Sequence, residues 1–186
     1  MLNIPTIITF SRMLIILPFV LVAPGNPFLG AVLFSIASLT DLLDGYIARK
    51  SQQVTKVGIL LDPIADKLLV ISALIVLVDM AIIPAWIAIV IITREFIVTG
   101  LRVVALSKDI VIPAEMGGKI KVTAQISAIL VLLFNRSPFI SEMLDRFFHI
   151  SDLYDLGIVL LWIAMILGIM SGVQYFIIFQ KRYYDG

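Results

Sequence analysis

Apolar stretches of bilayer-spanning length recur along almost the whole chain, and the breaks between them are short. Residues 7–23, 28–49, 58–78, 82–106, 118–135 and 154–179 are each close to the length of about 20 apolar residues that a spanning helix needs. Hydrocarbon offers no partner to backbone polar groups, so such stretches are expected to be helices. The expected fold is all-α: a polytopic membrane protein of six transmembrane helices, with residues 1–186 forming a single membrane domain. Two connections are longer, 107–117 and 136–153, and the second (FISEMLDRFFHISDLY) has an amphipathic look. The fifth span is expected to start after the breaker Gly117–Gly118.

Composition agrees with this class and excludes others. The chain is 61% hydrophobic and only 15% charged, values that belong to an integral membrane protein. A net charge of +1 without a basic tract gives no footprint for nucleic acid. There are no cysteines, so disulfides and thiolate metal sites are excluded, and His149 is the sole histidine. Any bound metal is therefore expected on oxygen ligands, which favours Mg²⁺, Mn²⁺ or Ca²⁺. The first cation is Arg12, inside the apolar stretch, so the start reads as a retained span rather than a signal peptide.

Cation placement sets the orientation. With both termini in the cytoplasm, Arg12, Arg49, Lys50, Lys56, Lys67, Arg94, Arg102, Lys108, Lys119, Lys121, Lys181 and Arg182 lie on the cytoplasmic side or in helix ends facing it. Only Arg136 and Arg146 fall outside that set.

Within this apolar background, Asp41, Asp44, Asp62 and Asp66 stand out. An ionised carboxylate at mid-bilayer costs about 2.5–3.5 kcal/mol on insertion scales, and four unpaired ones cost roughly 10 kcal/mol. Packing does not need carboxylates, so bound cations or nearby water must satisfy them. The pairs are spaced i, i+3 and i, i+4, which puts each pair on one helix face. The connection between them is short, so the two helices are expected to be antiparallel neighbours. Two facing pairs make a four-carboxylate cage suited to two divalent cations, which can clamp the attacking and leaving oxygens of a phosphoryl transfer. Around it, Gly45, Ala48 and Gly58 leave room for a substrate, Arg49 suits a phosphate, and Pro63 opens a backbone gap.

The string Asp41-x2-Asp44-Gly45-x2-Ala48-Arg49-x8-Gly58-x3-Asp62-x3-Asp66 resembles the signature of the CDP-alcohol phosphotransferase superfamily at every fixed position and spacing. The resemblance implies two divalent cations, Mg²⁺ or Mn²⁺, held by the four aspartates. It implies a CDP-linked donor against Gly45, Ala48, Arg49 and Gly58, Asp66 as general base, a dimeric enzyme, and a cytoplasm-facing site in the cell membrane. Further segments are similar to those of bacterial phosphatidylglycerophosphate synthases: Asn3-Ile4-Pro5-Thr6 with Thr9 and Arg12, Thr93-Arg94-Glu95-Phe96 through Leu101-Arg102, and Gly118-Lys119-Ile120-Lys121 with Gln125. They imply CDP-diacylglycerol as donor and sn-glycerol 3-phosphate as acceptor.

The residues support an anionic acceptor on their own account. Arg94 and Arg102 lie two turns apart on the fourth span, and Lys119 and Lys121 open the fifth, whose N-terminus favours anions. These four are the candidate acceptor-phosphate ligands, with the positive-inside bias as the competing explanation. Glu95 is expected to pair a nearby Arg. Gly168 and Gly172 form a small-residue face for helix packing, with a dimer seam as one use. Trp86, Trp162, Tyr183 and Tyr184 suit membrane-interface positions. Rival readings are the same chemistry with inositol phosphate, serine or phosphatidylglycerol as acceptor, a prenyltransferase using paired aspartates, and a cation transporter. The almost wholly apolar outer halves of the second and third spans disfavour the transporter.

Overall fold

The computed structural model describes residues 14–51, 56–108, 116–148 and 152–184. The side chains of residues 41–51, 56–66, 106, 116–119, 147–148 and 184 lie outside the described part. All regular structure among the described residues is helical: α1 over 14–22, α2 Pro27–Ser51, α3 Lys56–Asp79, α4 Ala85–Ser107, α5 Met116–Asn135, α6 Pro138–Phe148 and α7 Tyr154–Tyr184. Six of these fall on the six apolar stretches, α1 over the described part of the first. The amphipathic connection contributes the seventh, α6, as a short helix of its own. Tyr154–Tyr183 is long and apolar enough to cross a bilayer by itself, and Ile120–Asn135 meets that test only together with Pro138–Arg146, across an 89° bend. In α4 the apolar run is interrupted by Arg94, Glu95 and Arg102.

The helix ends obey local chemistry. Asn26 caps α2, accepting the Leu29 N–H on Oδ1 at 3.1 Å, with Pro27 at the first helical position. Residues 82–84, expected to begin the fourth span, form its entry turn instead. There Ile82 N–H bonds Leu77 O and Ala81 N–H bonds Val78 O, both at 2.9 Å, closing α3 with a Schellman motif. The left-handed residue of that motif is Ala81, at φ 53°. Buried Ile82 and Leu77 supply its apolar contact. Gly117 and Gly118 were expected to precede the fifth span but lie in the first turn of α5. The N–H groups of that turn have no intrahelical partners, so glycine costs little there. Asp152 receives the Tyr154 N–H at 2.7 Å at the start of α7, and Asn135 receives the Leu153 N–H at 2.7 Å.

The core is a single cluster drawn from α1 to α5 and α7, with Phe19, Phe34, Leu74, Leu77, Ile129, Leu132, Leu133 and Leu161 fully buried. Two glycines permit close approach. A Cβ on Gly157 would stand 2.7 Å from Leu132 Cγ, and one on Gly30 would stand 2.8 Å from Ala23 Cα. Overpacking of this kind costs about 1–3 kcal/mol. Gly30→Ala is expected to lower the unfolding temperature in detergent more than Gly157→Ala, because backbone gives way less readily than a leucine side chain.

Candidate active site

Contacts at both ends of the bundle fix the helix directions. Phe28, at the start of α2, lies against Phe134, at the end of α5, with ring centroids 6.3 Å apart. These two helices are therefore antiparallel. Trp86 meets Trp162 at 5.4 Å, and further along Arg94 bonds Gly168 and Arg102 lies over Tyr175. Helices α4 and α7 thus run the same way. Gly157 sits beside Leu132 while Gly168 sits beside Lys121, so α5 runs opposite to α7. The Lys67 ammonium reaches the main-chain oxygen of Glu95 at 3.2 Å, and the 80–84 turn joins the other ends of α3 and α4.

One end of the bundle therefore gathers the last part of α2, the first part of α3, the second half of α4, the start of α5 and the end of α7. Asp41, Asp44, Gly45, Ala48 and Arg49 lie there on α2, and Gly58, Asp62 and Asp66 on α3. Both helices run unbroken through these positions, so each aspartate pair keeps its one-face spacing. Their side chains, and that of Lys119, are outside the described part, and Arg12 lies outside the described residues altogether. Among the described residues no group of three or more His, Asp or Glu is placed to hold a metal.

The described side chains at this end converge on Glu95. Its Oε1 accepts from Arg94 Nη1 at 2.8 Å and from Lys121 Nζ. Arg94 is held from the other side as well: Nε donates to Gly168 O at 2.7 Å and Nη2 donates to Ser171 Oγ. The Glu95 carbonyl takes Lys67 Nζ and, at 2.6 Å, Thr99 Oγ1. Lys121 is 3% exposed. A buried ammonium is costly without an anion beside it, and Glu95 supplies one. A small cavity opens beside this group, lined by Arg94, Glu95, Lys121, Met165 and Gly168 among others.

Arg94 and Lys121 thus come together as expected, and the pairing of Glu95 with Arg94 extends to Lys121. Arg102 lies apart from the Glu95 group, exposed, with its guanidinium carbon 5.9 Å from the Tyr175 ring centre. Gly168 and Gly172 face Arg94 within the chain: a Cβ on Gly172 would stand 3.5 Å from Arg94 Nε. This face is therefore occupied by Arg94 and Val98 inside the chain, at distances where a Cβ would make ordinary contact. Lys67 and Ser171 escaped assignment from sequence. Lys67 was legible only as one more cation beside Asp66, and nothing local marks Ser171 as the partner of an arginine 77 positions away. Two buried polar atoms, Ser38 Oγ on α2 and Gln125 Nε2 on α5, have no hydrogen-bond partner among the described residues. Gln125 is one turn beyond Lys121 on the same face of α5.

The model of the CDP-alcohol phosphatidyltransferase family matches residues 2–170, nine-tenths of the chain. The chain belongs to this family. Similar curated proteins carry the name CDP-diacylglycerol–glycerol-3-phosphate 3-phosphatidyltransferase. That of Bacillus subtilis (strain 168) is 43% identical, covering 95% of this chain and 94% of its own length. That of Haemophilus influenzae (strain Rd) is 38% identical over 93% and 91% of the two chains, and that of Rickettsia bellii is 37% identical over 94% and 93%. In this CDP-alcohol phosphatidyltransferase all four aspartates, Arg94 and Lys121 fall inside the matched segment, and Ser171 falls just beyond it.

Proposed function

We propose that the chain transfers the phosphatidyl group of CDP-diacylglycerol to sn-glycerol 3-phosphate, releasing CMP and phosphatidylglycerophosphate. The reading is supported most by one convergence: the signature positions of α2 and α3 share a bundle end with the Arg94–Glu95–Lys121 group. The relatives that carry this activity by name match over nearly the whole chain.

The site residues suit a hard divalent cation, because the carboxylates offer oxygen and two uninterrupted, adjoining helices carry them. Asp41, Asp44, Asp62 and Asp66 would hold two such ions, Mg²⁺ or Mn²⁺. Bound there, they supply positive charge for the pyrophosphate and the departing CMP. Asp66 takes the proton of the acceptor's primary hydroxyl. That oxygen then bonds to the phosphorus carrying diacylglycerol, and the bond from this phosphorus to the oxygen of CMP breaks. Arg49 pairs a donor phosphate, and the small Gly45, Ala48 and Gly58 let the donor lie close to the helices. Lys121 and Arg94, with Lys119 and Arg102, hold the acceptor phosphate. Most of the acceleration comes from positioning and charge.

The enzyme acts as one membrane domain of six spans, α1 to α5 and α7, with both termini and the active end in the cytoplasm. It works in the cell membrane as a homodimer. Such a placement leaves the donor's acyl chains in lipid while the acceptor arrives from water. The test is CMP release by purified protein in detergent–lipid micelles with CDP-diacylglycerol and Mg²⁺ or Mn²⁺. Glycerol 3-phosphate, inositol phosphate and serine are offered separately, and the lipid product is identified by mass. Product with glycerol 3-phosphate alone, abolished by a chelator and restored by the metal, is the expected result. Turnover with another acceptor would overturn the acceptor, and no CMP from folded protein would overturn the donor.

A further inference from the structure

The Glu95 carboxylate has no role in the reaction as derived above, yet it sits on two of the cations assigned to the acceptor, Arg94 and Lys121. Both its charge and its setting bear on acceptor choice. Its Oε1 accepts from Arg94 Nη1 and from Lys121 Nζ, and no other carboxylate among the described residues pairs either cation. The cations are fixed: Arg94 is tied by Nε and Nη2 to Gly168 and Ser171 on α7, and Lys121 is buried. Among the described residues these two groups are the partners of the carboxylate, both on Oε1, and it borders the small cavity on a side chain with three rotatable bonds. Glu95 is therefore the counter-anion of a basic pair whose two cations are anchored by other groups or by burial.

We infer that Glu95 is the specificity-determining residue of the acceptor site, a built-in counter-anion that only a doubly charged phosphomonoester displaces. The inference rests on the acceptor reading above. Two cations and one carboxylate carry +1 in total, and +2 once the carboxylate swings away. A singly charged anion that replaces Glu95 exchanges like for like and gains no Coulomb energy. A phosphomonoester dianion balances the full +2 and adds oxygen acceptors for the same donors. The carboxylate thus rejects carboxylates and phosphodiesters, and it lowers the apparent affinity for the true acceptor, because the site is open for only a fraction of the time.

The test is Glu95→Gln, with Glu95→Asp as the conservative control, in the full chain in detergent–lipid micelles. Glutamine keeps the shape and loses the competing charge. In wild type, inorganic phosphate is expected to inhibit competitively against glycerol 3-phosphate, and acetate is not. In Glu95→Gln the KM for glycerol 3-phosphate is expected to fall about fivefold or more, and acetate becomes a competitive inhibitor. Glu95→Asp retains the wild-type discrimination. A raised acceptor KM in Glu95→Gln, or an unchanged one with acetate still inert, overturns the inference and leaves Glu95 as a plain holder of the cations. If Glu95→Gln does not fold, calorimetric titration of wild type decides: phosphate binding without acetate binding supports the inference, and equal binding or none overturns it. Titration needs no turnover, so it separates this inference from the acceptor reading, which fails on its own if wild type prefers an unphosphorylated acceptor.

Discussion

Asp66→Asn is expected to abolish turnover while the protein remains folded. Asparagine has nearly the same size and still accepts hydrogen bonds, but it takes no proton and carries no charge. A positioned general base is worth about 10²–10⁴ in rate. Asp66 is also assigned to metal binding, so the loss is expected at or beyond the upper part of that range. The decisive comparison is initial CMP release by wild type and variant at saturating CDP-diacylglycerol and glycerol 3-phosphate, with thermal unfolding as the fold control. Unfolding is expected to be little changed, because a helix interior takes asparagine at a cost of a few tenths of a kcal/mol. Near-normal activity would remove Asp66 from the proton-transfer role. Activity restored by raising the metal concentration would assign it to the metal alone.

Lys121→Met is expected to raise the KM for glycerol 3-phosphate by about 10–100-fold and to leave the KM for CDP-diacylglycerol nearly unchanged. Methionine keeps the apolar stem that packs in the core and removes the ammonium. Truncating one partner of a buried, hydrogen-bonded charge pair costs about 2–5 kcal/mol, part of which is the penalty on the group left behind. Here that group is Glu95, which keeps Arg94 as a partner, so the fold bears less than the full cost. The readout is a pair of KM values from the same preparation. Equal increases for both substrates would count against an acceptor pocket at Lys121 and point to a general disturbance of the bundle. An unchanged acceptor KM would assign Lys121 to structure alone, as the partner of a buried glutamate.

The helices were legible in the chain because hydrocarbon imposes so strict a rule. Among the described residues each apolar run is helical, and from the second run onward the helix ends lie within a few residues of the expected ones. The exceptions lie at turns: Ala81 takes the left-handed position that glycine more often fills, and Gly117–Gly118 lie inside a first turn rather than before it. Sequence also carried the chemistry of α2 and α3, since helical spacing alone puts Asp41 with Asp44, and Asp62 with Asp66. That information is local, and a window of a dozen residues contains all of it.

The partners of Arg94 were decided elsewhere. Its spacing from Lys119 and Lys121 suggests a shared basic pocket, but not that Gly168 and Ser171 on α7 take two of its donors. The glycines read as a generic packing face because small size has the same signature whether a second chain or an arginine fills the space. Only the parallel run of α4 and α7, the antiparallel run of α5 against α7 and the packing of α3 on α4 put Arg94, Lys121 and Lys67 around one glutamate. Sequence by itself determined which residues carry charge into an apolar chain and on which helices. Tertiary structure decided which of those charges neutralise one another, because Coulomb pairing in a low-dielectric interior depends on separations of a few ångströms between helices far apart in the chain.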